Sequence, residues 1–150
     1  MTNSRKRGFT VIEMLIVVTL IGVVSAFGLP RMNELMKRES TRSARREVVT
    51  LVSRARNSAA QRGCRATLHI DAATERVWVT VCSTTTTGLD TLGPILNTQT
   101  KYKVLMAADA DSLPFAANSL GLATSTISFS FTRDSYSTSM RVTRVGRATW

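Results

Sequence analysis

Histidine, cysteine, proline and acidic residues are all scarce in this chain of 150 residues. It has one histidine, two cysteines, three prolines, and 10 Asp and Glu against 20 Lys and Arg. His69 has no second histidine and no carboxylate at ligand spacing, so it reads as an ordinary strand residue and not as a metal ligand. Cys64 and Cys82 allow one internal disulfide, and neither sits in a catalytic pattern. Asp109 and Asp111 lack the glycine and glutamate that complete a calcium loop. Paired carboxylates, Ser–His or Cys–His combinations and phosphate-binding loops are missing. The expectation is a protein that is not an enzyme, with no metal and no cofactor. Its cationic excess favours an anionic partner: nucleic acid, lipid head groups or an acidic neighbouring subunit.

What the chain does have is one long apolar run. From Phe9 to Leu29 there are 21 residues, and 15 of them are Ala, Val, Ile, Leu, Met or Phe. At a rise of about 1.5 Å per residue, such a helix spans the roughly 30 Å hydrocarbon core of a bilayer. Gly22 and Gly28 are small sites where another helix could approach. A secretory signal peptide would want a shorter apolar core and a small-x-small cleavage site, and Val24-Ser25-Ala26-Phe27 fits poorly. Glu13 stands out. A carboxylate at mid-membrane costs about 2.5–3.5 kcal/mol on insertion scales, so it needs a partner. If the chain were cut between Gly8 and Phe9, the new Phe9 α-ammonium would lie one helical turn from Glu13. A neighbouring subunit shifted along the axis could set its own ammonium against that carboxylate.

The stretch Arg5-Lys6-Arg7-Gly8-Phe9-Thr10-Val11-Ile12-Glu13 resembles the cleavage and methylation signal of type IV pilins and type II secretion pseudopilins. That resemblance implies cleavage after Gly8 by a prepilin peptidase, N-methylation of Phe9, and Glu13 as the group that guides subunit docking. It also implies a bacterial inner-membrane precursor with a single span and a periplasmic globular domain. The partners it implies are the peptidase, other pilin or pseudopilin subunits and the inner membrane.

The expected fold class is α+β: a long N-terminal kinked helix, half membrane anchor and half amphipathic, packed on a small antiparallel β domain as in the pilin fold. Residues 1–8 form the leader, 9–29 the membrane helix, 30–62 the amphipathic helix and 63–150 the β-rich domain. Pro30 is expected to kink the helix. Val48, Leu51, Val52, Ala55 and Ala59 follow the i, i+3, i+4, i+7 spacing of a buried face. Arg38, Arg42 and Arg45 form a basic stripe read as solvated. Gly63 caps the helix end.

From Cys64 the period changes to two. Ala66, Leu68 and Ile70 alternate with polar residues, as do Val77, Val79 and Val81, with a hairpin loop at Asp71–Glu75. If Ala73 is the loop centre, Cys64 and Cys82 lie opposite each other and a disulfide follows. The apolar pattern instead favours Leu68 opposite Val79 and Ile70 opposite Val77, which moves the cysteines one step off. Residues 83–93 read as a polar loop, 102–106 as a strand and 107–122 as irregular. Ile127, Phe129 and Phe131 mark one strand of a terminal hairpin. Met140 and Val142 begin the returning strand, studded by Arg141, Arg144 and Arg147 and bent by Gly146.

The order of elements is similar to that of H-type pseudopilins and FimT-type minor pilins. In some of the latter a terminal Gly-Arg-x-Arg element takes part in DNA capture. Gly146-Arg147 match that element, but Thr149 stands in place of the second arginine. Arg141, Arg144 and Arg147 are therefore candidates for a double-stranded DNA contact, although Arg144 and Arg147 would fall on opposite faces of a straight strand. Three neutralised phosphates would give a salt slope of only about −2.7, the signature of weak capture. Trp150 could stack a base or cap the core.

Overall fold

A computed structural model of the chain describes residues 9–83, 88–117 and 120–150. Arg5, Lys6, Arg7 and Gly8, and Thr84–Thr87 of the polar loop, lie outside the described residues. The chain divides into two compact units, Met1–Met36 and Lys37–Trp150. One helix, α1 (Val11–Arg62), runs through both and continues past Pro30 without a break.

In the first unit the apolar residues from Phe9 to Phe27 stand 46% to 83% exposed. This stretch is long and apolar enough to cross a membrane. In the second unit α1 becomes amphipathic. Thr41, Ala44, Val48, Leu51, Val52, Ala55 and Ala59 are all buried, as their helical spacing requires, and the positions between them are not. Gly63 ends the helix at φ +62°, the left-handed conformation that suits a glycine just past a helix terminus.

Two antiparallel sheets cover that face. The first contains β1 (Ala66–Asp71), β2 (Arg76–Cys82), β3 (Leu89–Thr91), β4 (Leu96–Asn97) and β6 (Ser112–Phe115). Its order is β3-β2-β1-β6, with β4 also on β2. The second sheet is β5 (Leu105–Ala108), β7 (Ile127–Arg133), β8 (Tyr136–Val142) and β9 (Ala148–Thr149), in the order β5-β7-β8-β9. The inward residues alternate, and those of both sheets join the helix face in one core. Phe115, Phe129 and Phe131 are its largest fully buried side chains.

The β1–β2 register pairs Leu68 with Val79 and Ile70 with Val77, as the apolar pattern favours. Cys64 and Cys82 are nevertheless joined in a disulfide. Cys64 precedes β1 and is not bound to its ladder, so the short segment after Gly63 carries it to the end of β2. The hairpin loop tightens on Asp71, whose side chain accepts from the Ala73 and Thr74 N–H groups at 3.1 and 3.2 Å.

Three expectations need correction. The expected strand at 102–106 is split: Thr98–Tyr102 forms a short helix, α2, and β5 starts only at Leu105. Asn97 causes this, since its side chain caps the helix by accepting from the Thr100 N–H at 2.7 Å, and Lys103 turns the chain at φ +59°. The stretch 107–122 read as irregular holds β6, paired to β1 through Leu113 opposite Leu68. The loop 83–93 holds β3, whose three residues are all exposed and so show no alternation.

Two carboxylates tie these short elements down. Glu47 on α1 accepts from Lys101 Nζ at 2.7 and 2.9 Å and from the Tyr102 hydroxyl. Burial pushes the Glu47 carboxyl up, but the bonds from Lys101 and Tyr102 and the nearby cations outweigh it, leaving it below the ordinary glutamate value. Glu75, at the end of the β1–β2 turn, reaches the other sheet and accepts from the Met106 N–H at 2.5 Å. Burial raises its pKa above the ordinary value, against the lowering effect of that bond.

Candidate functional site

Two surfaces carry the chemistry, one in each unit. The first is the start of α1. Thr10 precedes the helix and Glu13 occupies its first turn. The Glu13 N–H donates to Thr10 Oγ1 at 3.3 Å, and the Thr10 N–H donates to Glu13 Oε2 at 3.4 Å. Reading by charge alone misses Thr10, although the Thr-x-x-Glu spacing before an apolar run is the signature of this reciprocal cap. Phe9, Val11 and Ile12 around it are 70% to 83% exposed. A methyl group placed at Gly22 would meet nothing within 4 Å.

The second surface surrounds the chain's last residue. Trp150 is 80% exposed. The Arg45 guanidinium lies over its ring, 5.0 Å from the centroid. Arg45 also donates to Thr138 Oγ1 on β8 at 3.2 Å. Arg38 sits over the Tyr136 ring at 5.7 Å. The basic stripe on α1 is thus not wholly solvated: Arg38 and Arg45 lean on the second sheet, because aromatic residues face them there. Arg42 stays exposed.

Arg141, Arg144 and Arg147 do not share a straight strand. The chain reverses after β8: Gly146 takes φ +69°, its N–H donates to the Thr143 carbonyl at 2.8 Å, and the Thr143 N–H donates to the Arg147 carbonyl at 2.9 Å. β9 then returns along β8, with Arg141 opposite Thr149. A groove of about 300 Å³ has Arg141 and Trp150 in its wall. A second, of about 390 Å³, has Arg56, Arg147 and Trp150. The structure therefore gathers Arg45, Arg56, Arg141 and Arg147 around Trp150. Arg144 lines neither groove; its carbonyl accepts from the Ala123 N–H at 2.7 Å. Nothing in the local sequence marks Arg56 as part of this surface. It donates from Nε to the Leu120 carbonyl at 3.3 Å and underlies both Gly121 and Gly146.

Among the described residues, no three His, Cys, Asp or Glu side chains come together as a metal site. His69 stacks on Trp78 with centroids 5.2 Å apart, and its Nε2 lies 2.8 Å from Thr80 Oγ1.

Comparison with known proteins bears on both units. Residues 3–29 match the family model described as the prokaryotic N-terminal methylation motif. The fold is similar to that of the type IV minor pilin FimU of Pseudomonas aeruginosa, with TM-score 0.58 and 13% identity over 77% of this chain and 90% of that one. It is also similar to the minor pseudopilin EpsH from the type 2 secretion system of Vibrio cholerae, with TM-score 0.56 and 14% identity over 74% of this chain and 94% of that one. The chain carries an N-terminal methylation motif on a pilin fold. No curated protein matches it in sequence. At such low identity the two structures establish the fold alone, and the motif match covers residues 3–29 alone.

Proposed function

We propose that this pilin-like chain is a minor pilin or pseudopilin, a structural subunit of a type IV pilus or a type II secretion pseudopilus. A prepilin peptidase cleaves it between Gly8 and Phe9 and the Phe9 amine is methylated. The helix holds the precursor in the inner membrane, with the unit Lys37–Trp150 in the periplasm. On assembly the helix leaves lipid for the filament core, and Glu13 pairs with the amine of a neighbouring subunit.

One observation carries this reading. The methylation motif covers the start of a helix whose apolar side chains are exposed from Val11 to Phe27, while the same helix from Thr41 onward buries one face. Such a helix needs lipid or other helices around its first half. A single carboxylate in that half then demands a cation. The test is assembly in a reconstituted pilus or secretion system. Glu13→Ala should leave the chain membrane-bound and cleaved but absent from sheared filaments. Normal incorporation of Glu13→Ala would sink the docking role.

A second reading, DNA capture during natural transformation, is favoured by the cluster of Arg45, Arg56, Arg141 and Arg147 around the exposed Trp150. Titration against double-stranded DNA at several salt concentrations tests it, beside a variant with Arg141 and Arg147, the two cluster arginines at the C-terminal turn, both changed to Gln. Binding that weakens with salt and drops in the variant supports it. Equal binding by both proteins removes these arginines as a DNA site.

A further inference from the structure

A helix leaves its first four N–H groups without partners inside the helix. In α1 the Thr10–Glu13 pair answers two such demands at once. The Thr10 hydroxyl takes the Glu13 N–H, and the Glu13 carboxylate takes the Thr10 N–H. The carboxylate also sits where the helix dipole favours negative charge. Lipid offers no water to satisfy either donor or to solvate the charge, so these two bonds weigh more there than on a water-exposed helix. Both lie on the C-terminal side of the Gly8–Phe9 bond, and cleavage there removes neither.

We propose that Thr10 is a positioning residue for Glu13. Through the reciprocal cap it holds the carboxylate on its own helix while the subunit lies in the membrane. An incoming amine then takes that carboxylate over from the Thr10 N–H; this second step rests on the docking reading, whereas the cap does not. The cap gives the carboxylate one hydrogen-bond donor while it has no cation beside it. That bond is also weak enough, at 3.4 Å, to yield to a charged donor.

Two substitutions separate cap from charge. Thr10→Val replaces the hydroxyl by a methyl at similar volume, and Thr10→Ser keeps the hydroxyl. Glu13→Gln keeps an acceptor for the Thr10 N–H and removes the charge. The full chain is placed in lipid nanodiscs, before and after peptidase treatment, and amide hydrogen exchange is read at Thr10 and Glu13. Thr10→Val should reduce protection of the Glu13 amide by about 2- to 30-fold, the range expected for losing an N-cap. Thr10→Ser and Glu13→Gln should keep it. Unchanged protection in Thr10→Val overturns the proposal. Filament incorporation is scored in parallel. If Thr10→Val loses protection while Glu13→Gln assembles normally, the cap stands and the handover to an amine falls. If Thr10→Val alters incorporation only while Glu13 carries its charge, both steps stand.

Discussion

Replacing Gly121 by alanine should destabilise the globular unit more than the same change at Gly63 or Gly146, which share its left-handed conformation. Gly121 has φ +54°, and a Cβ there would lie 2.5 Å from the Arg56 backbone oxygen and 3.0 Å from Arg56 Cγ. The backbone carbonyl belongs to α1 and cannot retreat without moving Val52, Ala55 and Ala59, all buried. The left-handed conformation costs about 1–2 kcal/mol for alanine. Forcing extra volume against a fixed neighbour adds about 1–3 kcal/mol. The total is about 2–5 kcal/mol, a large share of the stability of a small domain. Gly63, at φ +62° with nothing within 4 Å of its Cβ position, supplies the control: Gly63→Ala carries only the conformational part. Gly146→Ala should fall between them, because its Cβ would meet Arg56 Cδ at 2.8 Å, an atom of a side chain that can swing aside. The assay is urea unfolding of the detergent-solubilised chain followed by near-ultraviolet circular dichroism. A Gly121→Ala variant no less stable than Gly63→Ala would refute the close packing of the 120–123 segment on α1.

Further outcomes follow from the same structure. Changing both Cys64 and Cys82 to Ser should cost about 3 kcal/mol, the value for closing a loop of this size, read as a lower urea midpoint matched by reduction of the native chain. Phe129→Ala, which empties a fully buried site between the sheets and α1, should cost about 3–5 kcal/mol in the same assay. Glu47 has a lowered folded pKa, so its contribution is present above the ordinary glutamate value and is lost as pH falls through the folded one. Glu47→Gln should therefore flatten the acid limb of a stability–pH curve. Glu75 has a raised folded pKa, so its contribution is present below the ordinary value and is lost as pH rises through the folded one. Glu75→Gln, which keeps an acceptor for the Met106 N–H, should make the unit more stable at neutral pH; a loss of stability there would contradict this placement of the charge.

The parts legible in the sequence are those where burial writes a period. Val48, Leu51, Val52, Ala55 and Ala59 mark the helical face, and Ile127, Phe129 and Phe131 mark β7. Leu68, Ile70, Val77 and Val79 even specify the register of the first hairpin, because a one-residue slip would turn all of them outward. The elements that escape such reading are short or edge-bound. β3 is exposed at all three residues, β6 contains Pro114, and α2 is a five-residue helix started by the Asn97 side chain. None of these writes a period long enough to read. At the N-terminus Glu13 is conspicuous for its charge, whereas the Thr10 that caps it carries none and shows only through its three-residue spacing to Glu13. At the C-terminus the arginines are visible, but their gathering around Trp150 depends on the turn at Gly146 and on Arg45 and Arg56, which are far away in sequence.

The most direct test of the account is the mass of the N-terminus after expression with a prepilin peptidase and its methylating activity. The account predicts a chain beginning at Phe9 and carrying one methyl group. An uncleaved chain, or one cut inside the apolar run near Ser25, would contradict it.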